Sequence, residues 1–390
     1  MIEELSFDPK KELGELVNQL SISRKIGFFF GAGVSTALGI PDIKSLTKNV
    51  LEKVEDKEII SNFSGNITPS IPGNAITIED ILNELRLIRM LTKESESKVY
   101  ENINGKIAKK LDVAICKKIY EEITLKESSI DISPMKAFIA WLNWLNRDFT
   151  KEVFTSNYDL VIESALEQLK VPYFDGFIGG HHAFFHPESV EIKKAAESLP
   201  LSWIRLWKLH GSFGWYWKQE KTGFRIIRTN ASIAEMEKEG AGEVVIYPSR
   251  EKYDSSRKQP FIAFLDRFST YLQDGEGLFI ISGYSFSDQH INQLVFNSIK
   301  QNNRLHVVAL LFDDEPMKTI MGHLSSHMNF SAFSPKEAII GGRYGKWLLP
   351  TSGSTTKEEI VITQIGEFKT LVKFLIENSA RKNQIEESLK

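Results

Sequence analysis

The sequence predicts an α/β protein: a Rossmann-like, mainly parallel sheet with helices on both faces and a large helical insertion. Three observations predict it. A short apolar run, IGFFF at 26–30, is too brief for a globular helix and right for a buried strand, and it leads into the Gly31-Ala32-Gly33 turn. From residue 45 to about 145 the hydrophobic pattern is helical. Beyond 150, strands and helices alternate, as in a doubly wound sheet.

The elements follow in order. Residues 10–23 read as a helix with Leu13, Leu16, Val17 and Leu20 on one side. After the glycine turn come Ser35 and Thr36, then a second loop, Gly39-Ile40-Pro41-Asp42. Thr77 and Asp80 form a capping-box start for a helix with Ile78, Ile81, Leu82, Leu85 and Ile88 on one face. A helix around 106–120 follows, then one opened by Ser133-Pro134 and filled by Phe138, Ile139, Leu142 and Leu145. Residues 61–74 read as a loop. Strands are expected at 152–155, 203–209, 243–247, 278–282 and 305–312, and helices at 159–169, 261–272 and 288–299. A hairpin joins 213–217 to 224–228 across Thr222-Gly223. Residues 360–390 are expected as one amphipathic helix with Phe368, Leu371, Val372 and Leu375 on a single face. The mixed-sign run at 250–258 reads as a solvated loop or a partner surface.

Composition narrows the function. The chain of 390 residues is long enough for two domains, or for one domain carrying an insertion. A net charge of -3 provides no overall field for nucleic acid or an anionic membrane. No apolar run approaches the roughly 20 residues that span a bilayer. The acidic, polar start, MIEELSFDPKKELGEL, is unlike a secretory signal. The expectation is a cytoplasmic protein with no membrane and no direct nucleic-acid contact. The single cysteine, Cys116, excludes internal disulfides and any multi-cysteine zinc site, and it reads as a small helix-packing residue.

Glycines let the backbone turn sharply and bring its N–H groups near a phosphate. The turn at 31–36 is therefore a dinucleotide-type fingerprint, with Thr36 where the third glycine would stand. A plain strand-to-helix turn is the alternative. Polar segments also follow three later strands: Thr155-Ser156-Asn157-Tyr158-Asp159, His210-Gly211, and Gly283-Tyr284-Ser285-Phe286-Ser287-Asp288. In an open parallel sheet, ligands bind at the carboxyl ends of strands, so these segments converge on the crevice beside Gly31–Gly33. The local alternatives are a helix cap for Asn157 or Asp159 and a hydrogen-bonded strand end for His210. Trp203, Trp207, Trp215 and Trp217 read as core and hairpin packing.

The ordered set resembles the sirtuin family of NAD-consuming proteins. GAGVSTALGIPD at 31–42 matches the family's GAGxS…GIPDFR signature, TSNYD at 155–159 its TQNxD segment, His210-Gly211 its HG pair, and GYSFSD at 283–288 falls at its GTS turn. There are departures. The deacylases carry a zinc ribbon of two CxxC pairs between the last two motifs, and this chain has no cysteine there. His181, His182 and His186 cluster before His210 without clear thiolate or carboxylate partners, and read as a loop lining the cleft. Lys44 replaces the motif's arginine and loses its bidentate fork, and Ile43 replaces its phenylalanine. The combination resembles the zinc-less, NAD-hydrolysing effector domains of bacterial antiphage systems. By length and architecture the chain also resembles the sirtuin-like partner of HerA-type ATPases.

That resemblance implies one sirtuin-like catalytic domain over 1–390, with the helical insertion at 45–150, the C-terminal helix at 360–390, and no zinc ribbon. It implies NAD as substrate, no metal, a homo-oligomer and a HerA-type ATPase partner. Cleavage of the nicotinamide–ribose bond develops oxocarbenium character and needs positioning and electrostatic support. Asn157 would orient a water or the ribose hydroxyls, and His210 would accept a proton. Asp159 or Asp42 would hold the carboxamide or stabilise positive charge. Gly31, Ala32, Gly33, Ser35 and Thr36 would hold the pyrophosphate, with Gly283 and Ser285 across the dinucleotide. A protein deacylase and a non-catalytic NAD-sensing module are the competing readings.

Overall fold

The strand Ile26–Phe30 (β1) is buried at every position, which requires a sheet covered on both faces. The computed structural model describes residues 5–69, 75–100, 102–180, 182–191, 200, 202–220, 223–231, 233–238, 243–246, 259–324, 326–349 and 356–390. The further parallel strands are β2 (Lys151–Thr155), β3 (Tyr173–Phe174), β4 (Ile204–Lys208), β5 (Gly277–Ser282), β6 (Leu305–Leu310) and β7 (Phe330–Phe333). Their order across the sheet is β7-β6-β5-β1-β2-β4-β3. Two antiparallel strands, β8 (Glu337–Ile340) and β9 (Arg343–Trp347), extend the β7 edge, and Ser6–Phe7 pairs with β9. The fold is therefore Rossmann-like and mainly parallel.

Alternate side chains enter two cores. Phe28, Phe30, Val153, Leu206 and Ile280 share one cluster with the helices Pro9–Ile22, Ser133–Trp144 and Phe368–Glu377. Phe29, Phe154, Trp207, Phe279 and Ile281 share the other with Phe261–Gln273, Gln289–Gln301 and Met317–Leu324. Phe28 meets Phe138 edge-on at 5.0 Å on one face, and Phe154 lies 4.8 Å from Phe268 on the other. The buried tryptophans Trp207 and Trp215 are packing residues. Such aromatic pairs add to simple area burial.

The helices Ile43–Lys53, Lys57–Ser64, Ile78–Thr92 and Gly105–Glu127 lie between β1 and β2, followed by Ser133–Trp144. The Thr77–Asp80 capping box is present. Arg86 and Arg89 of the Ile78–Thr92 helix both pair with the buried Asp112 of Gly105–Glu127, binding together the two longest helices between β1 and β2. Cys116 is buried in that helix, and burial pushes its thiol up to about 12, so it packs rather than reacts.

Four expectations need correction or lie partly beyond the described residues. Residues 61–64 are helical, because Ile60 and Phe63 bury an apolar face, so the loop begins at Gly65, and 70–74 lie outside the described residues. The C-terminal stretch is three helices, Lys357–Gln364, Phe368–Glu377 and Lys382–Ser388. The first break falls at Gly366, whose backbone presses on Leu311 with no room for a Cβ, and the second follows Asn378, whose amide donates to Phe374 O at 2.8 Å. The hairpin is longer than expected, Gly211–Glu220 with Gly223–Arg228, and belongs to a second, antiparallel sheet with Glu243–Ile246, Ala183–Phe185 and Phe177–Ile178. Tyr247 and the run at 250–258 lie outside the described residues.

Candidate active site

Four strands end at one level. Ser282 pairs with Phe30, Phe30 with Thr155, and Thr155 with Lys208, so Gly283, Gly31, Asn157 and His210 all emerge just beyond the same line. β5 and β2 flank β1, and the chain passes from the β2 side to the β5 side, so the crevice sits at the topological switch point.

On one side the loops after β1 and β5 are in backbone contact. Gly31 N donates to Ser282 O at 3.0 Å, and Gly33 N to Gly283 O at 2.8 Å. A Cβ on Gly33 would lie 2.8 Å from Gly283 Cα, and one on Gly31 would meet Gly283 O. Gly283 itself has φ +65, and a Cβ there would lie 2.5 Å from Val34 N. The two glycine N–H groups expected to face a phosphate are therefore engaged with protein carbonyls. These glycines exist here because two backbones touch. The exposed groups of this wall include Ala32, Gly33, Thr36, Ser285 and Ser287. Ser285 Oγ lies 3.0 Å from Ser287 Oγ, and Thr36 Oγ1 donates to Ala32 O at 3.1 Å. Asp42 is exposed and caps the helix Ile43–Lys53, accepting Ser45 N–H at 2.7 Å; those hydrogen bonds hold its carboxyl below the usual range.

On the other side the groups are polar and buried. Asn157 Nδ2 donates to Gly31 O at 3.0 Å and to Ser35 Oγ at 2.8 Å. Only the amide nitrogen can donate to a carbonyl, so both its hydrogens are engaged and Oδ1 is left to accept. Ser35 Oγ donates onward to Asp159 Oδ2 at 2.5 Å, and Asp159 Oδ1 accepts Val161 N–H at 3.2 Å at the start of the helix Val161–Gln168. Asp159 is buried and acts through Ser35 and this helix start. Lys208, 2% exposed, donates to the carbonyl of Asp159 and to Glu163 Oε1 at 2.8 Å. Desolvation raises the Glu163 carboxyl above its usual range despite that cation.

His210 Nε2 lies 3.2 Å from Asp288 Oδ2. A carboxylate only accepts, so Nε2 carries the hydrogen and Nδ1 is left as an acceptor. Asp288 Oδ1 caps the helix Gln289–Gln301 through His290 N at 2.9 Å, which fixes the carboxylate under His210. Tyr284 steadies the same turn, its hydroxyl donating to Asn292 Oδ1 at 2.8 Å. The Tyr158 ring lies 6.5 Å from that of His210.

The sequence reading missed Asp288 as a partner for His210. Its one sequence signal is an aspartate directly before an amphipathic helix, which reads as a cap. His186 does not lie at the crevice. His186 Nδ1 contacts Ser189 Oγ at 2.7 Å and lines a separate cavity of about 730 Å³ beside β3, with Tyr173, Asp175, Trp203 and Arg228. The short antiparallel strand Ala183–Phe185 carries it there, which corrects the cleft-lining expectation for His186. His181 lies outside the described residues. No cluster of three metal-ligating side chains occurs among the described residues. No helix among them is long and apolar enough to cross a membrane.

No curated protein matches the chain. Residues 151–330 match the family model described as SIR2-like domain. The matched stretch runs from β2 to the start of β7 and contains Asn157, Asp159, His210, Gly283 and Asp288, with the glycine turn at 31–33 outside it. The similarity of residues 151–330 to a SIR2-like domain supports a place in the sirtuin-like superfamily and NAD-related chemistry.

Proposed function

We propose that the protein hydrolyses NAD at the nicotinamide–ribose bond, releasing nicotinamide and ADP-ribose. The observation that carries this reading is the in-register alignment of Gly31, Asn157, His210 and Gly283 at the carboxyl ends of adjacent strands. The glycosidic C–N bond breaks and its electron pair leaves with neutral nicotinamide. Water adds to the ribose carbon, and His210 Nδ1 accepts the proton it loses. Asn157, fixed by two donated hydrogen bonds, presents Oδ1 to that water or to a ribose hydroxyl. Ser35 and Asp159 hold the amide in place, and Asp288 orients the imidazole. Ala32, Gly33, Thr36 and Ser285 form the exposed wall along which the pyrophosphate lies, with Gly31 and Gly283 shaping it and Asp42 at its outer end.

We assign residues 1–390 to one catalytic unit, with 45–150 inserted and 360–390 as its C-terminal helical segment. The resemblance to antiphage effectors supports a cytoplasmic, regulated, NAD-depleting defence protein that assembles as a homo-oligomer with a HerA-type ATPase and needs no metal. The test is incubation of the purified chain with NAD, alone and with its neighbouring gene product. The expected result is nicotinamide and ADP-ribose in equal amounts. An acyl-lysine peptide consumed one-for-one with NAD, with O-acyl-ADP-ribose formed, would replace the hydrolase by a deacylase. Bound but intact NAD in every case would make the domain a sensor.

A further inference from the structure

The inserted helices reach the strand-end loop directly. Glu127, the last residue of the helix Gly105–Glu127, accepts the Leu160 N–H at 2.7 Å. Leu160 is three residues beyond Asn157 and opens the helix Val161–Gln168. The loop at 157–160 is thus held from three directions. Ser35 and Gly31 grip Asn157 from the β1 side. Phe213 N donates to Tyr158 O at 3.1 Å, and Lys208 donates to Asp159 O, from the β4 side. Glu127 supplies the third hold, from the insertion.

We propose that Glu127 is a positioning residue for the Asn157 loop, through which the helical insertion sets the rate of NAD cleavage. This rests on the hydrolase reading above. The groups facing Glu127 are Asp159 on the loop, Glu163 on the following helix and Lys208 on β4. Three carboxylates thus gather around one ammonium, and Glu163 Oε2 is buried without a hydrogen-bond partner. Burial pushes the Glu127 carboxyl from its ordinary value of 4.5 up to about 7, with Asp159 and Glu163 adding to the rise and the Leu160 N–H and Lys208 opposing it. An ionised carboxylate accepts an N–H more strongly than a neutral one, so the hold on Leu160 tightens as pH rises through neutrality.

The test is the pH profile of kcat for NAD, with amide hydrogen exchange at Leu160, in wild type, Glu127→Gln and Glu127→Ala. Wild-type protection of the Leu160 amide is expected to rise as pH passes about 7. Glu127→Gln keeps an acceptor without a charge, so kcat should stay within about threefold and that rise in protection should vanish, while the pH dependence that the proton acceptor gives to kcat is common to all three proteins. Glu127→Ala should lower kcat about tenfold with KM for NAD within about twofold, and should speed exchange at Leu160. Wild-type kcat with wild-type Leu160 protection in Glu127→Ala overturns the proposal. So does an unchanged rise of Leu160 protection with pH in Glu127→Gln, which stays informative if the alanine variant fails to fold. A wild type that turns over no NAD, yet protects Leu160 only while Glu127 is present, overturns the hydrolase reading and leaves the positioning role standing.

Discussion

The two walls of the crevice are built on opposite principles. The β1–β5 wall is backbone against backbone: Gly31, Gly33 and Gly283 touch where no Cβ fits, and the N–H groups of Gly31 and Gly33 donate to the carbonyls of Ser282 and Gly283. The β2–β4 wall presents side chains held by side chains: Asn157 and Asp159 are joined through Ser35 from beyond β1, and His210 pairs with Asp288 from beyond β5. On the proposed function, the difference assigns shape to the first wall and chemistry to the second. A glycine motif in this fold is then a packing requirement before it is an anion cradle.

Substitutions should separate the walls. The largest effect is expected from His210→Ala and Asn157→Ala, each lowering kcat for NAD by about 10²–10⁴. Circular dichroism should show both folded, since loss of the Asn157 hydrogen bonds costs only about 1–3 kcal/mol. Full activity in both would remove the chemistry from this wall. Gly283→Ala should act through stability instead, by about 3 kcal/mol in urea unfolding, because φ +65 and the contact with Val34 N cannot both be relieved. A stable Gly283→Ala protein would erase the distinction. Asp288→Asn should lower kcat about tenfold by freeing the imidazole, with the helix cap largely kept.

Smaller effects come from the insertion. Because the Glu127 carboxyl is raised to about 7, its contribution to stability is fully present below pH 4.5 and is lost as pH rises towards 7. Glu127→Gln should therefore be more stable than wild type above pH 7, by about 1–2 kcal/mol in thermal or urea unfolding. The smallest effect is at Cys116. Its buried, high-pKa thiol should resist alkylation at pH 8 in the native protein, and labelling as fast as in the unfolded chain would contradict its packing role.

Much of the sheet was legible because its strands are short apolar runs. β1, β5 and β6 follow from composition alone, and the capping box at Thr77 marks the start of the helix Ile78–Thr92 correctly. The edge strands were not seen. β8 and β9 carry mixed polarity, as an edge allows, although Gly341-Gly342 between Ile340 and Arg343 is a recognisable two-residue hairpin signal. The two-residue strands near Tyr173 and Phe177 are too short for any periodicity. The single C-terminal helix was wrong because tertiary contact at Gly366 overrides an amphipathic pattern. At the crevice, the placement of Asn157 and His210 just beyond strand ends was legible in the sequence. The pairing of His210 with Asp288 and of Glu127 with Leu160 joins residues distant in sequence, and no local pattern encodes it.

The most direct measurement is the product analysis of NAD incubated with the wild-type chain and with Asn157→Ala, in the presence of the neighbouring gene product. A hydrolase built on the β2–β4 wall yields equal nicotinamide and ADP-ribose from wild type and about a hundredfold less, or lower still, from the variant. Intact NAD with wild type, or equal turnover by both proteins, contradicts it.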